Sequence, residues 1–364
     1  MKLNRIDSLS LRLPYLLKLK FNLLFTIEHF FGQKFTNKFL FESRLRLKNQ
    51  IGELLSVNNY RGKGVPITEI SDLSPQQFYA YNFLPGIPVV FKGVAKNWSA
   101  CKEWDFDYFS NNFGKEPVIF VNHEVYGSAS NKSDFEISSL EEYIKSINDV
   151  NDQRYARFHP LLDRHPELKE YLNLRWLKER MMQKFFSGFI FNVLFIGKSG
   201  STTNCHNEGN DNLFLQVYGK KKWYLWPPDY LYAFHPRANR SPAKYCDINP
   251  ENPQIREYLG YENLDYYETE LEEGDILYVP SYTWHYTKNI TPSIGVGTRW
   301  TSLKNNFRRS PLLCILEFLN TNPSLFSVFS SKNEFDFNKI ILKSMGYKDH
   351  DINQKMGCKN IHNN

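Results

Sequence analysis

Apolar and polar residues alternate in short runs through the middle of the chain, between about residues 65 and 301. The runs are bounded by Gly, Pro and Asn and read IPVVFKGV, PVIFVN, FIFNVLFIG, NLFLQVYG, KKWYLWPP, GDILYVP and SIGVGTRW. Short β-rich runs with this punctuation are typical of an all-β barrel or jelly roll. We therefore expect a mainly β domain over residues 65–301.

Helical patterns replace the β pattern at several places. In residues 1–64, leucines and phenylalanines recur with lysines between them from Leu9 to about Phe35, and Pro14 suits a first helical turn. This predicts an amphipathic helix packed on the main domain, with a helix on a membrane surface as the alternative. In SSLEEYIKSIND, Ser138 or Ser139 is expected to cap another helix.

Residues 302–364 are predicted to form a C-terminal helical region. In SPLLCILEFLN, Ser310 is expected to be an N-cap and Pro311 to occupy the first helical position. The predicted apolar face runs through Leu312, Leu313, Ile315, Leu316 and Leu319. Such a face must pack on something.

Composition narrows the class of protein. The chain has 364 residues, of which 41% are hydrophobic and 16% aromatic, so it can bury a sizeable core. A net charge of +6 arises from 45 basic against 39 acidic residues without long basic blocks, which leaves nucleic-acid binding unsupported. Lys18 and Lys20 interrupt the apolar N-terminal run, so neither a signal peptide nor a membrane span is expected.

The cysteines point to a reducing compartment. They are odd in number, widely separated and never in CxxC spacing, which disfavours a disulfide framework and a zinc knuckle. The five residues are Cys101, Cys205, Cys246, Cys314 and Cys358. A cytoplasmic location is therefore expected.

A candidate metal site lies in the β zone, in the stretch TTNCHNEGNDN. His206 and Glu208 are two residues apart, so in a strand both side chains project to the same side. His285, at the end of EGDILYVPSYTWHY, supplies a third candidate. Two imidazoles and one carboxylate form the facial triad of non-haem iron(II) oxygenases. Asp211 is a rival ligand, although its odd offset from Glu208 directs it to the other face unless a bulge intervenes.

Three consecutive lysines, Lys220 to Lys222, follow in the same zone. They could form a solvated edge or a phosphate-contacting patch, or one of them could point inward as an anion anchor. Strand parity places Lys221 with Trp223 and opposite its two neighbours. Aromatic residues occupy both faces of this strand, so parity alone leaves the choice open.

The joint pattern resembles that of JmjC-type, cupin-like 2-oxoglutarate oxygenases, in particular their protein-hydroxylase branch. PGIPVVFKGVAKNW is similar to the family's entry segment, YARFHPLLDRHPEL to the segment ahead of the barrel and FIGKSGSTTNCHNE to the first metal strand. NLFLQVYGKKKWYLWPP resembles the co-substrate strand and EGDILYVPSYTWHY the second metal strand. The resemblance covers roughly Pro85 to Trp300 and implies a double-stranded β-helix of jelly-roll type with helical extensions at both ends.

The resemblance also implies roles for individual residues. His206, Glu208 and His285 fall on the ligands of Fe(II). Lys221 falls on the lysine that pairs with the distal carboxylate of 2-oxoglutarate, Thr203 and Tyr155 on hydroxyl groups that bond the same carboxylate, and Asn212 on an amide near the proximal carboxylate. The hydroxylase branch mostly has aspartate where this chain has Glu208, whereas glutamate occurs in JmjC demethylases.

The implied activity is hydroxylation of a protein or peptide side chain, with O2 as co-substrate and 2-oxoglutarate oxidised to succinate and CO2. The alternatives are N-methyl demethylation, hydroxylation of tRNA or a small molecule, and a cupin-type binding protein without turnover. Family analogy also suggests a homodimer through the C-terminal helices.

A long polar stretch, Pro227 to Tyr267, separates the co-substrate strand from the second metal strand. Long loops of this kind usually serve function, although a surface insertion is the alternative. We expect it to border the substrate entrance and to favour an acidic polypeptide through its basic residues. These are Arg237, Arg240, Lys244 and Arg256.

Overall fold

Fifteen strands and eleven α-helices make up the described part of the chain. The structure is a computed structural model, and it describes residues 3–7, 13–57, 60–121, 135–149, 151–181, 187–236, 238, 243–253 and 258–320. The strands are β1 Gly64–Pro66, β2 Glu69–Ile70, β3 Val89–Phe91, β4 Pro117–Val121, β5 Phe135–Ser139, β6 Ala156–His159, β7 Ser187–Gly197, β8 Thr202–Asn207, β9 Asp211–Tyr218, β10 Lys221–Trp226, β11 Lys244–Tyr245, β12 Tyr266–Leu271, β13 Ile276–Val279, β14 Trp284–Asn289 and β15 Ser293–Ser302.

The helices flank this β region at both ends and interrupt it, mainly in its first half. They are α1 Tyr15–Phe39, α2 Phe41–Ser56, α3 Pro75–Phe78, α4 Ser99–Glu103, α5 Phe106–Phe113, α6 Leu140–Lys145, α7 Leu161–Arg164, α8 Leu174–Met181, α9 Leu231–Phe234, α10 Leu303–Arg309 and α11 Pro311–Asn320. A short π-helix follows α3 at Tyr79–Phe83, and 3-10 helices occupy Pro166–Tyr171, Pro228–Tyr230 and Tyr261–Asn263.

Two sheets form a jelly-roll-like sandwich. One sheet has six strands in the order β1-β12-β10-β14-β8-β11, and the other has seven in the order β2-β3-β13-β9-β15-β7-β6. All pairs are antiparallel except β1 with β12 and β2 with β3. Each of the seven predicted runs contains a strand, so the predicted mainly β, jelly-roll fold with helices at both ends is confirmed.

Apolar side chains fill the space between the two sheets. A second group of apolar side chains covers the outer face of the seven-stranded sheet. Between the sheets, Phe214 of β9 meets Trp223 of β10 edge to face, with ring centres 4.9 Å apart. On the outer face, Phe91 and Trp176 belong to a second buried cluster with α8. The site residues described below lie in the space between the two sheets.

The N-terminal helix packs on the β domain as predicted. Phe21, Leu24 and Phe25 are buried, and they belong to the same cluster as the space between the sheets. The helix extends beyond the predicted end to Phe39, with a kink at Gly32, whose φ of 79° suits glycine. Leu16 and other apolar residues of α1 are exposed, and the membrane-surface alternative stays a prediction.

Local capping signals also hold. Ser139 caps α6 and accepts from the backbone N–H of Glu142, whose side chain bonds back to the Ser139 N–H. This capping box pairs the two end groups reciprocally.

The predicted apolar face of helix α11 is wrong in part. Helix α11 begins at Pro311 as expected, and Leu313 and Leu316 are buried. However, Ile315 and Leu319 are 45% and 64% exposed. The buried side of the helix includes Glu317 instead.

Two further observations concern the chain as a whole. No helix in the described ranges has the length and apolar character needed to cross a bilayer. Four of the cysteines are free thiols, and Cys358 lies outside the described residues.

Candidate metal centre and co-substrate site

Two histidines face each other on neighbouring strands of the six-stranded sheet. His206 of β8 and His285 of β14 are register partners, and their ring centres lie 4.1 Å apart. The Nδ1 atom of His206 lies 2.8 Å from the Asn204 carbonyl, and that of His285 lies 2.9 Å from the Thr283 carbonyl. A carbonyl only accepts, so each Nδ1 carries the proton and each Nε2 keeps a lone pair, as in metal-ligating histidines.

Glu208 completes the group directly after β8. One ligand atom from each of His206, Glu208 and His285 lies within 4.8 Å of the others, and all three residues are buried. Arg299 bonds Oε1 of Glu208, whereas Glu208 Oε2 and His206 Nε2 have no hydrogen-bond partner among the described residues. Buried polar atoms are normally paired. Converging unpaired nitrogen and oxygen acceptors therefore fit a divalent cation such as Fe(II).

Burial affects the protonation states of His206, Glu208 and His285. It lowers the pKa of His206 well below its ordinary value and that of His285 to about 4. Burial likewise raises the pKa of Glu208, and the positive charge and hydrogen bond of Arg299 oppose that shift. The imidazoles are therefore neutral at physiological pH, which is the form that binds metal.

The rival ligand Asp211 does not join the group. It is the first residue of β9, and its Oδ1 accepts from the Tyr278 hydroxyl and from Arg309, each at 2.6 Å. Its carboxylate is thus held by the C-terminal helix α10. Strand parity had indicated this outcome.

The three consecutive lysines point in different directions. Lys221 is only 2% exposed, and its Nζ donates to the Tyr155 hydroxyl at 2.9 Å. Lys220 pairs with Glu272 and Lys222 with Glu268 at more exposed positions. The lysines therefore do not form a single surface patch.

Lys221 lies on the same face of the sheet as the histidine pair. It is opposite Asn289 in the β10–β14 register, in which Leu225 is opposite His285. Its ammonium also lies 4.8 Å from the centre of the Phe214 ring, which belongs to the other sheet. Lys221 therefore projects between the two sheets, toward the layer that holds the candidate metal ligands.

This ammonium is suited to an anion. Within the described ranges no carboxylate forms an ion pair with Lys221, although a buried charge is costly unless it is paired. Thr203 and Asn212 are buried in the same barrel, and Asn212 Oδ1 has no partner among the described residues. One cation with neutral hydroxyl and amide groups fits a buried dicarboxylate such as 2-oxoglutarate.

The sequence profile of the cupin-like domain family matches residues 75–306, well over half of the chain. The chain belongs to the cupin-like domain family. The predicted resemblance to JmjC-type proteins is thereby confirmed.

Curated relatives of this cupin-like protein carry different names. Lysine-specific demethylase JMJ30 of Arabidopsis thaliana is 26% identical over 64% of this chain and 54% of its own length. Human HSPB1-associated protein 1 is 30% identical over 60% of this chain and 48% of its own. Lysine-specific demethylase 8 of Danio rerio is 24% identical over 60% and 54%. The chain spans about half the length of these relatives.

Sequence reasoning missed a buried arginine at the metal group of this cupin-like protein. Arg299 of β15 is 2% exposed, bonds Glu208 and lies 4.9 Å from the centre of the Phe158 ring. A signal was available, because Arg299 shares its strand face with Gly295 and Gly297, which leave room for a long side chain. Parity could have placed it inside the barrel, but its partner is not readable from the strand.

The described part of the long stretch from Pro227 to Tyr267 borders the candidate metal group. Its strand β11 pairs with β8, and Tyr245 stacks on the His206 ring at 5.3 Å between centres. The expectation that Lys244 helps to bind an acidic polypeptide is wrong, because Lys244 is 2% exposed beside Glu317. Arg237, Arg240 and Arg256 lie outside the described residues.

Proposed function

We propose that this cupin-like protein is an Fe(II)- and 2-oxoglutarate-dependent hydroxylase. The observation that carries the proposal is the convergence of three buried ligand atoms, from His206, Glu208 and His285, within 4.8 Å of one another. Two neutral imidazoles and one carboxylate on one side of a cation leave coordination positions open for substrates.

His206, Glu208 and His285 would hold the iron, which supplies the activation of O2 for oxidation of a C–H bond. The chain contributes orientation. The Asn204 and Thr283 carbonyls fix both rings with Nε2 free, and Arg299 takes one Glu208 oxygen and leaves the other available. Hydrogen-bonded partners of this kind set the direction and basicity of metal ligands.

Lys221 and Tyr155 would bind the distal carboxylate of 2-oxoglutarate, with Thr203 as a further hydroxyl donor and Asn212 at the proximal carboxylate. Support comes from the burial of all four residues and from the Lys221–Tyr155 hydrogen bond, which holds the ammonium ready inside the barrel. A charge-assisted bond to a desolvated carboxylate is among the stronger polar contacts.

A protein or peptide side chain is the substrate that we propose. The names of the relatives support this class, since they refer to lysine-specific demethylation and to association with HSPB1. The contact of Tyr245 with His206 also brings the Pro227–Tyr267 segment to the metal group, where it could border an extended chain. We further propose a cytoplasmic location, based on the free thiols.

N-methyl demethylation is a second candidate, favoured by the names of two relatives and by the glutamate at position 208. It uses the same oxidation, because hydroxylation of an N-methyl group gives a hemiaminal that releases formaldehyde. The two candidates therefore differ in the product and not in the site.

The test is incubation of protein and peptide pools with the full-length chain, Fe(II), ascorbate, O2 and 2-oxoglutarate. Hydroxylation predicts succinate together with peptides heavier by one oxygen atom, and demethylation predicts formaldehyde with loss of a methylene. Neither product should form with His285→Ala. Formation of the same products by that variant would contradict the proposed function.

A further inference from the structure

The short segment from Glu208 to Asp211 joins β8 to β9 and carries the carboxylate of the candidate metal group. It belongs to neither strand until Asp211. Its backbone is held from outside, because the Tyr282 N–H donates to the Glu208 carbonyl at 2.7 Å and the Asn306 amide donates to the Gly209 carbonyl at 2.6 Å. The position of the Glu208 carboxylate therefore depends on residues remote in sequence.

Arg309, the last residue of α10, ties this segment to the one that leads to His285. Its Nη1 donates to Asp211 Oδ1 and to Ser281 Oγ, both at 2.6 Å, and its Nη2 donates to the Tyr278 hydroxyl at 3.0 Å. Asp211 is fully buried and the Arg309 side chain is 6% exposed. One guanidinium thus links the segments that carry Glu208 and His285.

Glu317 of α11 lies against the same segment, from Glu208 to Asp211. A Cβ at position 209 would lie 2.5 Å from Glu317 Oε2, so glycine permits the close approach. Glu317 also accepts from the Tyr282 hydroxyl at 2.7 Å. Tyr282 has a φ of 59°, a backbone region that non-glycine residues rarely adopt, and such strain persists where surrounding contacts enforce it.

We propose that helices α10 and α11 position the Glu208 carboxylate, with Asn306, Arg309 and Glu317 as positioning residues of the metal centre. Arg309 and Glu317 lie beyond the residues that the family profile matches, so the site extends into the C-terminal region. The inference rests on the proposed metal site. Partners that orient metal ligands in this way typically change metal affinity by about 10–100-fold when they are removed.

Cobalt(II) titration of the full-length chain, followed by its visible absorption, tests the proposal without turnover. Arg309→Lys should weaken cobalt binding about tenfold or more and change the cobalt spectrum. Asn306→Ala should shift both in the same direction, and it provides a smaller change if Arg309→Lys fails to fold. Arg180→Lys is the matched control, because Arg180 is another arginine with a buried side chain, and it bonds Asp72 and the Leu73 carbonyl, each at 2.7 Å.

Hydrogen exchange of the metal-free chain gives a second measurement. The peptide that contains Glu208 to Asp211 should exchange faster in Arg309→Lys and Asn306→Ala than in wild type, and at the wild-type rate in Arg180→Lys. Wild-type cobalt affinity, spectrum and exchange in both test variants would overturn the proposal and leave the proposed function standing. A wild-type chain that binds no cobalt would overturn both.

Discussion

The imidazole rings of His206 and His285 lie side by side across two antiparallel strands, with their centres 4.1 Å apart. Each ring donates its Nδ1 proton to the carbonyl two residues earlier in the chain. His206 Nε2 and Glu208 Oε2 have no hydrogen-bond partner among the described residues, although buried polar atoms are normally paired. A cation held by His206, Glu208 and His285 would satisfy both atoms.

Lys221 should determine the requirement for 2-oxoglutarate. Lys221→Ala removes one partner of a desolvated charge pair, at a cost of about 3–5 kcal/mol, so the KM for 2-oxoglutarate should rise by roughly two to four orders of magnitude. Lys220→Ala and Lys222→Ala are the controls, because their pairs with Glu272 and Glu268 lie at more exposed positions, where solvent screens the charges. Steady-state succinate formation measures all three, and equal effects would contradict the assignment of Lys221.

The segment from Pro227 to Tyr267 should act on substrate and not on co-substrate. Replacing Arg237, Arg240 and Arg256 together with serine should lower substrate-dependent turnover, because an acidic polypeptide loses its charge partners. Decarboxylation of 2-oxoglutarate without substrate should persist. Wild-type rates for both reactions would remove this support for a macromolecular substrate.

The stability of the fold should depend on pH through Lys244. Burial lowers the pKa of its ammonium to about 8, below the ordinary value of about 10.4 for an unfolded chain. Between these two pKa values, Lys244 carries a proton in the unfolded chain more often than in the folded chain. The contribution of Lys244 to the free energy of unfolding therefore rises with pH. The free energy of unfolding in urea, wild type minus Lys244→Met, should therefore increase from pH 8 to pH 10. A constant difference would show that burial does not lower the pKa of Lys244.

The exposed side of α11 is the predicted dimer contact. Ile315 and Leu319 are 45% and 64% exposed, and changing both to glutamate should convert a dimer to a monomer, because buried charges without partners oppose association. Light scattering after gel filtration measures the mass, with the exposed Leu54→Glu on α2 as control. A wild-type monomer, or a double variant that remains dimeric, would contradict the contact.

Much of the fold was predictable because its signals are local. The strand runs end at Gly, Pro or Asn, and the Ser139–Glu142 capping box lies within four residues of chain. Strand β11 was not predicted, since Lys244 and Tyr245 have no apolar run and become a strand only by pairing with β8. Non-local pairing of this kind leaves no periodic trace in the chain.

In the candidate site, too, some residues could be predicted from the sequence and others could not. Spacing and parity suggested His206 and Glu208, because residues two apart on a strand share a face. Parity left the choice among the three lysines open, and only the family resemblance pointed to Lys221. Arg299 and Glu317 are buried charged residues whose partners come from distant segments. Composition favours the surface for both types, so only the tertiary structure reveals that they are inside.

The most direct test of the central claim is an anaerobic titration of the full-length chain with Fe(II) and 2-oxoglutarate, followed by visible absorption. Chelation of iron by the keto acid in the protein should produce a charge-transfer band that needs both components and saturates at one iron per chain. The band should be absent in His285→Ala and should require far more 2-oxoglutarate in Lys221→Ala. A folded wild-type chain without the band, or an unchanged band in His285→Ala, would contradict the account.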